Sequence, residues 1–191
     1  MDAEAGDRMV DVRPGGARRI DRVLAADYLA GLTGRSLAEL RGLREEAEQE
    51  EVDLSYLRRM LHGRIDIVRA EQRRRAAGDN GSIVAQLPQI LGGDERRPAH
   101  GLGRLNTREP TDPDRHRRYV EALVADVDLS DVVNASDAKL AEALSAYSAE
   151  ERSVSDLRRR VQAVVDALSS EVARRYRDGE ADITRLLEED H

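Results

Sequence analysis

The sequence predicts an all-α protein, a long antiparallel two-helix coiled-coil hairpin with short accessory helices and a partly disordered linker. Three observations carry that expectation. Apolar residues recur at alternating steps of three and four along two long segments. The chain has no Phe, no Trp and no Cys, and aromatics are 3% overall, so Ala, Leu, Val and Ile must fill a narrow core of the kind helices make along a seam. Between the two segments, Gly and nearly all the Pro gather in a stretch whose composition interrupts helix.

Residues 1–35 hold "ARRIDRVLAADYLAGLTG", where Ile20, Val23, Leu24 and Leu29 fall at helical spacing before glycines, which predicts a short docking helix. The first long helix, 36–78, opens where Ser36 stands three residues before Glu39, a capping box, and closes at Gly78. The linker, 79–135, contains "SIVAQLPQIL", enough for a turn or two of helix, and "DPDRHRRYVEALVADV", a helix with Asp112 as cap and Pro113 as its first residue. A second long helix fills 136–178, and 179–191 is an acidic tail. The first seam reads Leu40, Leu43, Ala47, Leu54, Leu57, Leu61, Ile65 and Val68. The second reads Leu140, Ala143 or Leu144, Tyr147, Val154, Leu157, Val161, Val164 or Val165, and Leu168. The seams are offset by one hundred residues, and the usual outcome for such a pair is antiparallel. Glu50 and Glu150 interrupt them at equivalent points, as a solvated gap or as an opening that admits a partner.

A net charge of -7 argues against direct DNA binding and against an anionic membrane, since both reward a basic surface. It suits a partner with basic surfaces, while the Arg clusters at 73–75 and 158–160 leave a small anionic ligand open. Without Cys there is no disulfide framework and no thiolate metal site. The acid-bearing start has no signal-peptide pattern, and no apolar run approaches the ~18 residues of a membrane span, so a cytoplasmic protein is expected. His62, His100, His116 and His191 lack ligand spacing, so no metal is expected. With no phosphate-binding glycine loop and no Cys nucleophile, enzyme chemistry is not expected either.

One pattern is not explained by folding alone. Taking Glu151 as zero and about 100° per residue, Ser155, Arg158, Gln162 and Asp166 fall near +40°, -20°, +20° and +60°, a single narrow face. The seam lies beside it, near -40° to about -120°. Glu51, Ser55, Arg58, His62 and Asp66 repeat every angle, and six of sixteen positions are identical between 51–66 and 151–166. Polar flanks of a coiled coil normally supply surface ion pairs worth a few tenths of a kcal/mol, which accounts for the charge but not for the repetition. Serine in particular has no helix-propensity advantage that would place it there twice. Arginine matches guanine O6 and N7 or stacks on a base, a carboxylate accepts from guanine N1 and N2, and Ser, Gln and His add short contacts. Two such rows on antiparallel helices would share a pseudo-two-fold axis, which points to a cyclic dinucleotide.

The row Glu151, Ser155, Arg158, Gln162, Asp166 resembles the E-x3-S-x2-R-x3-Q-x3-D signature of the RsiG anti-sigma factors. The first copy matches at Glu51, Ser55, Arg58 and Asp66, with His62 in place of Gln. The resemblance implies that these ten residues bind cyclic di-GMP as an intercalated pair. It also implies that the loaded hairpin sequesters a sigma factor of the WhiG type, related to flagellar sigma factors. The competing expectation from the residues is a nucleotide-independent coiled-coil scaffold or adaptor whose rows are merely solvated.

Overall fold

A computed structural model describes residues 10–78, 108–124 and 132–179. In chain order it contains α1 (Arg19–Val23), a 3-10 turn (Leu32–Gly34), α2 (Leu37–Ala76), α3 (Pro113–Ala122) and α4 (Asp137–Arg177). The protein is all-α, and its two long helices pack against each other as a hairpin. The possible helix at 82–91, the rest of the linker apart from 108–124 and 132–135, and the acidic tail from 180 onward lie outside the described residues.

Local chemistry sets the helix ends. Ser36 N donates to Glu39 Oε2 at 2.7 Å and Glu39 N donates back to Ser36 Oγ at 3.3 Å, closing the expected capping box at the start of α2. In the second copy Lys139 N donates to Ser136 Oγ at 3.3 Å. Asp112 caps α3, accepting from Arg115 N at 2.8 Å with Pro113 at the first helical position. After α2 the chain turns at Gly78 with φ 65°, left-handed backbone that a side chain would strain. The N-terminal segment forms the expected short helix, α1, which ends at Val23, before Leu24 and Leu29, and a series of turns follows. Those turns bury Tyr28 rather than Leu29, because the Tyr28 hydroxyl donates to Leu43 O at 2.8 Å and reaches Glu46 Oε2 at 3.0 Å.

The described residues pack into two compact units, Met1–Glu51 with Leu157–His191, and Val52–Asp156. In the first unit Leu40 and Ala47 of α2 and Val161 and Leu168 of α4 are fully buried. As α2 ascends from Arg41 to Glu51, its partners on α4 descend from Tyr176 to Arg158, so the helices run antiparallel. In the second unit Leu57, Leu61, Val68, Leu140, Tyr147 and Val154 form the core, and the partners descend from Glu151 to Asp137 as α2 ascends from His62 to Arg75. Of the alternatives left open in the second seam, Ala143 and Val164 are the buried residues, and Leu144 and Val165 lie at the border.

The two seam glutamates are neither solvated gaps nor openings. Glu50 is 8% and Glu150 4% exposed, and the protein's own accessory helices reach both. Arg19 Nε of α1 donates to Glu50 Oε2 at 2.8 Å in the first unit, and the Tyr119 hydroxyl of α3 donates to Glu150 Oε1 in the second. A buried carboxylate needs such a donor, and the accessory helix gains an anchor.

A second pair of equivalent ties locks the helix ends. In the first unit Arg175 joins Glu171, Nε to Oε1 at 2.9 Å, to the carbonyls of Leu32 and Thr33 at 3.1 and 2.7 Å. In the second unit Arg75 joins Glu71, at 2.6 Å, to the carbonyls of Val132 and Val133, both at 3.1 Å. Hydrogen bonds from Arg174 and Arg175 pull the Glu171 carboxyl down to about 2. Because the seam between the long helices is thin, truncation within it should be costly. Leu61, fully buried, is expected to lose about 2–5 kcal/mol on change to Ala, read as a lower urea midpoint at unchanged slope.

Candidate ligand-binding rows on the paired helices

Each unit contains part of both polar rows. In the unit Val52–Asp156, α2 presents Ser55, Arg58, His62 and Asp66, and α4 presents Glu151 and Ser155. His62 Nε2 lies 2.9 Å from Glu151 Oε1, and Ser155 Oγ donates to the same oxygen at 2.7 Å. Burial pushes the Glu151 carboxyl up, but the bonds from Ser155 and His62 and the nearby charge of Arg58 outweigh it, and the net shift is downward. In the other unit α2 ends its contribution with Glu51, and α4 presents Arg158, Gln162 and Asp166. There Arg158 Nε donates to Glu51 Oε1 at 2.9 Å. In both units a glutamate at the head of one row meets a cationic or imidazole side chain from the middle of the other.

Within each unit the row residues Glu51 and Arg158, or His62 and Glu151, therefore turn toward each other, as their angles beside the seam require. Asp66, Gln162 and Asp166 stand in the rows without a cross-helix bond among the described residues. Water still reaches the rows. The side chains of Glu51 and Arg158 are 17% and 27% exposed, those of Glu151 and His62 20% and 30%. The accessory helices grip other faces. α1 holds α2 through Glu46 and Glu50, near -140° and about -100° on the Glu51 scale. α3 and the residues before it hold α2 through Asp53, Tyr56 and Arg64, near -160°, +140° and about -140°. All these positions lie in the seam or beyond its far edge, away from the rows.

Chemically the rows offer forked donors, carboxylate acceptors and short neutral groups, all half-buried and within reach of solvent except Asp166, which is exposed. A planar ligand with complementary edges would exchange the cross-helix bonds for its own. Among the described residues there is no group of His, Cys, Asp or Glu that could hold a metal ion, and no helix long and apolar enough to cross a membrane. Pattern reading singled out the rows but missed the anchors of Glu50 and Glu150 and the ties of Arg75 and Arg175. Their signal is the same hundred-residue offset, which also relates Ser36 to Ser136 and Glu71 to Glu171.

The lowered Glu151 carboxyl has a pH consequence. A group whose folded value lies below its ordinary 4.5 adds stability above that value and loses it as pH falls. Wild type should melt above Glu151→Gln near neutrality, and the gap should shrink between about pH 5 and about pH 3. Thermal melts of both across that range check it, and a constant gap would count against the assigned network.

A family model described as RsiG-like matches the chain twice, over residues 26–91 and 126–190, together more than half of its length. No curated protein matches it. The two matches begin one hundred residues apart, the offset that relates the seams, the rows and the anchoring glutamates. Each match contains one long helix with one row. The match suggests an anti-sigma-factor-type regulator, and with an all-α hairpin bearing the signature on both long helices the chain belongs to the RsiG-like family.

Proposed function

We propose that this protein is an anti-sigma factor that binds cyclic di-GMP through Glu51, Ser55, Arg58, His62, Asp66, Glu151, Ser155, Arg158, Gln162 and Asp166. Loaded in this way, it sequesters a sigma factor of the WhiG type and blocks its transcription. The observation that carries the reading is the placement of the two signature rows. Within each unit their residues lie on antiparallel helices, turned toward each other, still accessible to water, and held on a seam whose accessory helix grips other faces.

The arginines and carboxylates carry the complement of guanine edges, and the serines, Gln162 and His62 supply shorter contacts. An intercalated pair of cyclic di-GMP on a shallow row leaves nucleotide surface for the partner to cover. That adds charge-assisted bonds and buried area, and makes nucleotide and sigma factor reinforce each other's binding by the same factor. The acidic balance suits a partner with basic DNA-binding surfaces.

One observation favours a second reading, the nucleotide-independent scaffold: Glu51–Arg158 and His62–Glu151 already join the helices and could serve as staples alone. Titration calorimetry with cyclic di-GMP, with and without the sigma factor, separates the two. Under the proposed function wild type gives binding heat, while Arg158→Ala and Asp166→Ala each lose roughly tenfold or more in affinity, about 1–3 kcal/mol per lost contact. No heat from wild type in either setting leaves only the scaffold.

A further inference from the structure

Beyond Glu51 the row-bearing face of the unit Met1–Glu51 with Leu157–His191 continues in a different chemistry. Arg41, Arg44 and Glu48 on α2 fall near +80°, +20° and about +60° on the same scale, and Ser169 and Tyr176 on α4 near 0° and about -20°. The guanidinium of Arg41 lies 5.6 Å from the Tyr176 ring centre and donates through Nη2 to the Tyr176 hydroxyl. The pairs Arg41–Tyr176 and Glu51–Arg158 bracket Arg44 and Ser169, which places them at about the same level of the antiparallel pair.

Among the described residues two polar atoms at that level are buried with no hydrogen-bond partner, Arg44 Nε and Ser169 Oγ. Glu48 Oε1 is 3.5 Å from Arg44 Nε, an ion-pair distance without a hydrogen bond. Buried donors are almost always satisfied, so two orphans at one level, with Arg41 one turn away, mark a place where an acceptor belongs. The two donors and the Arg41 fork suit an oxyanion. The cluster is not duplicated. A hundred residues away Ala141, Leu144 and Ser148 replace Arg41, Arg44 and Glu48, and Arg69 and Ala76 stand for Ser169 and Tyr176. A two-fold symmetric nucleotide pair would call for the same groups in both repeats, whereas a single partner chain calls for them once.

We propose that Arg41, Arg44, Ser169 and Tyr176 form a receiving site for a carboxylate of the protein partner, an aspartate or glutamate side chain, outside the nucleotide rows. Occupation gives Arg44 Nε and Ser169 Oγ their missing acceptor and fixes which way round the partner sits on an otherwise repeated surface. This inference rests on the proposed anti-sigma function, and its test separates the two.

The first measurement needs no partner. In the full-length free chain the Arg44 Nε–H resonance, assigned by its loss in Arg44→Lys, should shift saturably on titration with sodium acetate against sodium chloride at equal ionic strength. Ser169→Ala should weaken that response. The second uses the WhiG-type sigma factor with cyclic di-GMP present. Arg41→Gln/Arg44→Gln, checked for an unchanged melting temperature, should lose at least tenfold in partner affinity with nucleotide affinity of the free chain unchanged. Arg41→Lys/Arg44→Lys keeps the charge but not the fork and should recover only part. A loss of nucleotide affinity in the Gln variant would instead assign the cluster to nucleotide phosphate and overturn the proposal. So would an absent acetate response, or a partner affinity equal to wild type. If wild type binds neither nucleotide nor sigma factor, the anti-sigma reading fails, and the acetate response alone upholds or overturns the carboxylate site.

Discussion

The antiparallel contact between two thin apolar seams is the constraint on which the rest of the structure depends. With no Phe or Trp to span a wider gap, the long helices must meet through Leu, Val, Ile, Ala and one Tyr. Small side chains bring helix axes close, and residues flanking the seam on one helix then come within hydrogen-bond reach of those flanking it on the other. Glu51 meets Arg158 and Glu151 meets His62 for that reason, not because either pair contributes much by itself. A parallel pairing of the same helices would set glutamate beside glutamate.

Carboxylates organise what the thin core cannot hold alone. Glu50 and Glu150 sit inside the seam, where Arg19 and Tyr119 of the accessory helices donate to them. Glu71 and Glu171 hold Arg75 and Arg175 in place so that those arginines can reach the carbonyls before the facing helix in each unit. An apolar residue in place of Glu50 or Glu150 would pack as well, yet would not specify where the accessory helix docks. Burying a charge costs free energy, and here the cost is offset by a defined partner and by registry.

Position for position the repeats share their scaffold and differ at their edges. Anchors, helix starts, ties and rows recur at a hundred-residue spacing, while Arg19 becomes Tyr119, His62 becomes Gln162, and Arg41 and Arg44 become Ala141 and Leu144. Shared positions serve folding and the repeated rows; differing positions can recognise something that has no symmetry.

Hydrophobic period, capping residues and the hundred-residue echo were sufficient, by themselves, to place both long helices, the cap of α3 and the ten row residues, because each depends on neighbours within a few positions along the chain. Side-chain direction follows from helix geometry, so the rows could be placed beside the seam before any coordinates. Three things were decided only by tertiary structure. Glu50 and Glu150 could not be told from solvated gaps, since their donors lie thirty-one residues away in sequence on separate helices. The choice of Val164 over Val165 turned on which side chain the packing buries, and that of Tyr28 over Leu29 on the hydroxyl's bond to Leu43 O. The lack of a hydrogen bond at Arg44 Nε and Ser169 Oγ among the described residues carries no local pattern, because an unsatisfied donor exists only relative to everything packed around it.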